Sequence, residues 1–111
     1  CPPGALTDYE IDSNKCISYQ TIEHRGEFDE SSVDLDSWIY GCDICQEVCP
    51  WNKKFSKITP EKSFYPRSKI IENTITDWEK LNEEEFKKLF KGSSVKRTKH
   101  TGLKRNINKN L

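Results

Sequence analysis

Apolar residues follow helical spacing clearly only in the second half of the chain. Phe86, Leu89 and Phe90 recur at i, i+3 and i+4, which places them on one face of an α-helix. Asn82-Glu83-Glu84-Glu85 ahead of them is a capping-box start, and Gly92 is a natural stop. Lys87, Lys88 and Lys91 suit the negative end of that helix's dipole. A shorter helix is predicted over about Thr76–Leu81, with Trp78 and Leu81 on one side. After a polar stretch at Ser93–Gly102, Leu103, Ile107 and Leu111 at i, i+4 and i+8 predict a weak amphipathic helix. Between residues 56 and 68, Pro60 and Pro66 predict irregular, surface-hugging chain.

The first half carries punctuation rather than periodicity. Cys1-Pro2-Pro3-Gly4-Ala5-Leu6 reads as a tight turn, since two prolines and a glycine do not sustain a helix. Asp12, Ser13 or Asn14 can cap a short helix over Cys16–Glu23, which Gly26 ends. Glu27–Asp36 is acidic and polar, an exposed loop with a turn near Val33–Trp38. Ile39, Tyr40 and Gly41 then lead into a helix over Cys42–Val48, stopped by a turn at Cys49-Pro50. These elements predict a mainly α chain with irregular loops.

Composition makes a self-sufficient core doubtful. Of 111 residues, 33% are hydrophobic and 32% charged, with a mean hydropathy of −0.86, so a bound inorganic group would help to hold the fold. Twelve aromatic residues argue against disorder. The chain lacks Met and opens on Cys1-Pro2, and we expect it to be the C-terminal part of a longer protein. Neither a membrane-spanning apolar run nor a secretory signal is visible, and the expected location is cytoplasmic. Residues 1–50 hold eleven acids and two bases, whereas residues 86–111 hold nine bases and no acid. Such a polarity points the basic end at an anionic partner.

The chemistry gathers in Cys42-Asp43-Ile44-Cys45-Gln46-Glu47-Val48-Cys49-Pro50. Its C-x2-C-x3-C-P pattern matches the second half of the bacterial iron–sulfur run, C-x2-C-x2-C-x3-C-P. In two-cluster ferredoxins the Cys before Pro ligates the other cluster. On that rule Cys49 serves a second centre, while Cys1 crosses over to join Cys16, Cys42 and Cys45 on one 4Fe–4S cluster. The fold class follows as half of a two-cluster bacterial ferredoxin-like domain over residues 1–55, then a small C-terminal helical, basic tail region over residues 56–111. The same cysteines could hold a structural zinc, since C-x2-C is common to both site types. A disulfide framework fits poorly with an odd count and no signal peptide, and inert core thiols fit poorly with three Cys in eight residues.

Three segments carry a resemblance: Cys1–Leu6, Lys15–Gly26 and Gly41–Asn52. With the tail at Phe90–Lys99 and Gly102–Asn106, they resemble the epoxyqueuosine reductase family in order and spacing. Pro3 and Gln20 depart from the usual Thr and Leu, at no ligand position. The resemblance implies a cobalamin-dependent oxidoreductase with two 4Fe–4S clusters that reduces epoxyqueuosine to queuosine in tRNA. It implies that the cobalamin is bound mainly by a part before Cys1, where the acidic proton donor would also lie. No catalytic residue is then expected in this chain, which alone would be inactive. Carried over by position, Cys1, Cys16, Cys42 and Cys45 ligate the cluster nearer the cobalamin, and Ser18 and Asp43 contact the corrin edge. Ser18 bonding within its helix and Asp43 capping the motif helix are the plain alternatives.

Lys96, Arg97, Lys99, Lys104 and Arg105 lie in a stretch that also carries Ser, Thr and Gly, a suitable surface for phosphates. With Arg25 they are the expected contacts to the tRNA anticodon loop; a merely solvated charged surface is the alternative. The expected state is a monomer served by an electron donor that the sequence does not identify. Rival functions are the ferredoxin-like electron-transfer module of another oxidoreductase and a zinc-binding RNA-binding module.

Overall fold

A computed structural model describes residues 1–111. The opening Pro-Pro-Gly segment closes a turn in which the Gly4 N–H donates to the Cys1 carbonyl at 3.0 Å, with Gly4 at a φ of +67°. A hairpin follows, β1 (Leu6–Thr7) pairing antiparallel with β2 (Glu10–Ile11), Leu6 opposite Ile11. Its two-residue connection places Tyr9 at a φ of +63°. Helix α1 (Ile17–Ile22) takes Cys16, not Asp12, Ser13 or Asn14, as its N-cap. The Gln20 side chain instead ties it to the preceding loop by donating to the Asn14 carbonyl at 2.8 Å.

The cysteine motif forms α2 (Ile44–Glu47). A separate helix, α3 (Pro50–Phe55), begins at the proline, because Pro is preorganised for the first helical position and lacks an N–H that would be unpaired there. The segment with Pro60 and Pro66 is largely irregular but includes a 3₁₀ turn (Lys62–Phe64) and α4 (Ser68–Glu72). Helix α5 (Ile75–Lys80) starts earlier than the sequence suggests, since Thr74 and Asp77 form a reciprocal capping box. Asn82 and Glu85 do the same for α6 (Glu83–Leu89). Just before α4, Arg67 donates to the Leu89 and Lys91 carbonyls and so satisfies acceptors at the end of α6.

Five of the eight buried apolar residues come from the second half, the others being Ala5, Ile17 and Leu35. Leu81, Phe86, Phe90, Leu103 and Ile107 are buried together, with Ile39, Tyr40, Trp78, Leu89 and Val95 packed around them. Trp78 stacks on Phe90, and His100 lies edge-on to Phe86 while its Nε2–H donates to the Leu81 carbonyl at 2.7 Å. Leu103 and Ile107 sit on α7 (Lys99–Lys109), which follows a 3₁₀ turn (Ser94–Thr98). Leu111 is exposed.

Helix α7 therefore runs through Gly102 rather than starting after it. Glycine in a helix interior costs about 1 kcal/mol relative to alanine, and here its missing side chain makes room. A Cβ at residue 102 would lie 2.6 Å from Thr98 Oγ1, and that hydroxyl donates to the Thr21 carbonyl on α1 at 2.8 Å. The close approach docks α7 on α1. Gly102→Ala is expected to lower stability by about 1–2 kcal/mol, reversing the usual helix effect, and to do so much less in a Thr98→Ala background. Urea unfolding of the single and double variants measures both.

Candidate functional site

Four of the five thiols converge. Cys1 lies in the opening turn, Cys16 caps α1, Cys42 follows Gly41, and Cys45 is on the single turn of α2. All four line one cavity of about 270 Å³, together with Ser18, Asp43, Leu6 and Ile11. The hairpin thus adds two apolar side chains to the rim, both partly exposed. Asp43 occupies the N-cap position of α2, but its carboxylate accepts no capping hydrogen bond. Cys49 is not among the cavity's lining residues and caps α3 instead. All five cysteines are unpaired.

The chemistry of these donors bears on what they can hold. Thiolates are soft ligands, common to zinc sites and to iron–sulfur clusters. Four of them around one cavity make up the full ligand count of a 4Fe–4S cluster, which thiolates hold at its corners.

Helix α7 supplies side-chain donors to the chain after Cys16 and before Cys42. Arg105 is only 8% exposed. Its guanidinium donates to the carbonyls of Gln20 (2.9 Å), His24 (3.0 Å) and Gly26 (2.8 Å), and through Nε and Nη2 to Asn106 Oδ1. That uses all five N–H donors, and the plane lies over the Phe28 ring at 4.2 Å. Burial lowers its pKa from the ordinary arginine value, and the nearby Glu27 charge opposes that shift. Asn106, fully buried, donates to the Thr21 and Ile39 carbonyls at 2.8 and 3.0 Å.

The expectation that Arg105 contacts tRNA is therefore corrected: a buried guanidinium with every donor spent has none left for a phosphate. Lys104 is half-buried, and its ammonium reaches the Glu79 carbonyl. Arg25, Lys96, Arg97 and Lys99 are exposed. Arg97 Nε donates to Glu23 at 2.5 Å, and Arg25 donates to the Ile22, His24 and Arg97 carbonyls. The hydrogen bond from Arg97 holds the Glu23 carboxyl below its ordinary pKa and raises that of Arg97. A second cavity of about 150 Å³, without apolar lining, lies between residues 24–27 and the first turn of α7 and is bordered by Arg25 and Lys99. Among residues the sequence reading passed over, Asn106 and Thr21 stand out. Asn106 carried a usable signal, since it lies at i+3 from Leu103 on the apolar stripe of its helix.

Residues 1–52 match the family model described as a 4Fe-4S double cluster binding domain. Over 96% of its length the chain is 48% identical to an epoxyqueuosine reductase of Leadbetterella byssophila and 49% identical to one of Cellulophaga algicola. It is 40% identical, again over 96%, to an epoxyqueuosine reductase of Escherichia coli strain K12. The chain spans 35% of the first two relatives and 28% of the third. No solved structure matches it. No helix is long and apolar enough to cross a membrane.

Arg105→Lys is expected to destabilise the fold by at least about 2 kcal/mol, because one ammonium cannot serve three carbonyls and an amide, and buried acceptors left unmet cost about 1–3 kcal/mol each. Denaturant titration of the variant checks this.

Proposed function

As this chain is related to the epoxyqueuosine reductases and matches a 4Fe-4S double cluster binding domain over residues 1–52, we propose that it is the iron–sulfur part and C-terminal tail of a tRNA epoxyqueuosine reductase. In this reading Cys1, Cys16, Cys42 and Cys45 hold one 4Fe–4S cluster and Cys49 contributes to a second. The supporting observation is that four thiols from three separate segments line one cavity while the fifth lies outside it.

A bound 4Fe–4S cluster supplies one-electron transfer. Removal of an epoxide oxygen to leave an alkene takes two electrons and two protons and releases water, and a reducible centre near cobalamin suits that need. The chain's own residues hold and shield. The thiolates fix the cluster, Leu6 and Ile11 border it with apolar surface, and Ser18 and Asp43 present polar groups at the same rim, where the corrin edge would lie. Cobalamin and the reacting base belong to the remainder of the longer protein. A ferredoxin-like module of another oxidoreductase would share the cysteines but has little use for the exposed cations.

Those cations support the RNA half of the proposal. Arg25, Lys96, Arg97 and Lys99 are exposed around α7's first turn, where backbone phosphates of an anticodon loop would be met, while recognition of the base falls to the active site. Arg25 and Arg97 also bond to the protein, so Lys96 and Lys99 are the freest contacts.

In the full-length protein prepared without oxygen, Cys16→Ser is expected to remove about four iron and four sulfide per chain and to lower the visible absorption in proportion. Stoichiometric zinc without iron would instead favour a zinc-binding RNA module. Replacing Lys96 and Lys99 together by Ala is expected to weaken tRNA binding and flatten its log–log salt slope by about 1–2. A salt titration of affinity that leaves both values unchanged would remove the RNA assignment.

A further inference from the structure

Thr21 stands between the two inner cysteine segments, five residues after Cys16 and hydrogen-bonded to the residue before Cys42. It is fully buried. Its hydroxyl donates to the Ile17 carbonyl at 2.8 Å and accepts the Gly41 N–H at 2.9 Å. The Ile17 bond lies within α1, in the first turn after Cys16. The Gly41 bond fixes the peptide leading into Cys42, in a glycine whose φ of +72° few other residues tolerate. One hydroxyl therefore sets the distance between the backbones that carry Cys16 and Cys42.

The carbonyl of the same residue is held from the other side. As part of the last turn of α1 it has no partner within the helix. It accepts from Thr98 Oγ1 and from Asn106 Nδ2, both at 2.8 Å. Asn106 spends its other amide hydrogen on the Ile39 carbonyl at 3.0 Å, two residues before Gly41. Helix α7 thus grips α1 and the approach to Cys42 at once.

We propose that Thr21 is a positioning residue for the cluster site. Its hydroxyl joins the Cys16 and Cys42 segments, and its carbonyl, held by Thr98 and Asn106, ties that joint to α7. The inference rests on the cluster reading above and adds to it a residue that touches no iron. Valine at position 21 keeps the shape but leaves the part-buried Gly41 N–H without its partner; serine keeps the bond and loses a methyl.

The test uses the full-length, cluster-loaded protein with Thr21→Val and Thr21→Ser. Thr21→Val is expected to release the iron of one cluster to a chelator about tenfold faster, in keeping with the loss of a part-buried hydrogen bond. It is also expected to change the electron paramagnetic resonance signature and reduction potential of that cluster alone, with Thr21→Ser close to wild type in each measurement. If the valine variant does not accumulate as folded protein, Thr21→Ala is compared with Thr21→Ser, and the serine must again restore both signature and release rate. Equal release rates, signatures and potentials in the hydroxyl-bearing and hydroxyl-free variants overturn the inference. Wild-type protein without iron overturns the cluster reading itself, and this inference with it.

Discussion

The structure depends on satisfying the carbonyls at the end of a very short helix. Helix α1 has six residues, and the carbonyls of its last turn lack intrahelical donors. In water this would cost little, but here the helix end is covered, and buried acceptors need partners. The partners come from α7, where Arg105, Asn106 and Thr98 supply donors to Gln20, Thr21, His24 and Gly26. A guanidinium suits the task because its five donors lie in one plane and diverge in fixed directions. The segment bearing Cys16 is thereby organised by residues some 80 positions later in the sequence.

This solution also explains how a chain of such low hydrophobicity keeps its shape. The apolar cluster lies between α5, α6 and α7 and does not extend beneath the cysteine cavity. There buried Ala5 and Ile17 line the cavity, and behind them buried side-chain amide, hydroxyl and guanidinium groups reach backbone acceptors. Such a network is directional where apolar contact is not, and it specifies one arrangement of the segments it joins. The acidic first half and the basic second half meet on its outer side, where Glu23 pairs with Arg97. That exposed pair adds little to stability but leaves less of the local positive charge for an external anion.

Much of this was legible before the structure, though unevenly. The Asn82–Glu85 box and the Phe86–Phe90 stripe are local signals, and local hydrogen bonds decide them. The mainly helical class followed from the same signals. The hairpin at Leu6–Ile11 was missed because its turn, Asp8-Tyr9, lacks the usual glycine and its strands are two residues each. Helices α3 and α4 were missed for a related reason, being too short to show a period. The larger failure concerns Arg105. Counting bases along a chain treats each as surface charge, and only the position of its neighbours on the apolar stripe hints that one turns inward. Gly102 misled in the same way, since glycine reads as a break unless the hydroxyl lying against it is known. The gathering of Cys1, Cys16, Cys42 and Cys45 around one cavity could be anticipated in part: Cys42 and Cys45 follow a local spacing, whereas Cys1 was placed by the crossover rule and Cys16 only by completing a set of four.

The 85 positions between Gln20 and Arg105 also set an order of events during synthesis. At about 5–20 residues per second, the α1 segment is synthesised roughly 4–17 s before the donors that complete it. Over that interval Cys16 and Cys42 are attached to chain that lacks the bonds α7 provides. The frame that carries Cys16 and Cys42 is thus closed by an element made after both of them, and a chain stopped short of α7 would carry the thiols without the donors that hold their backbones together.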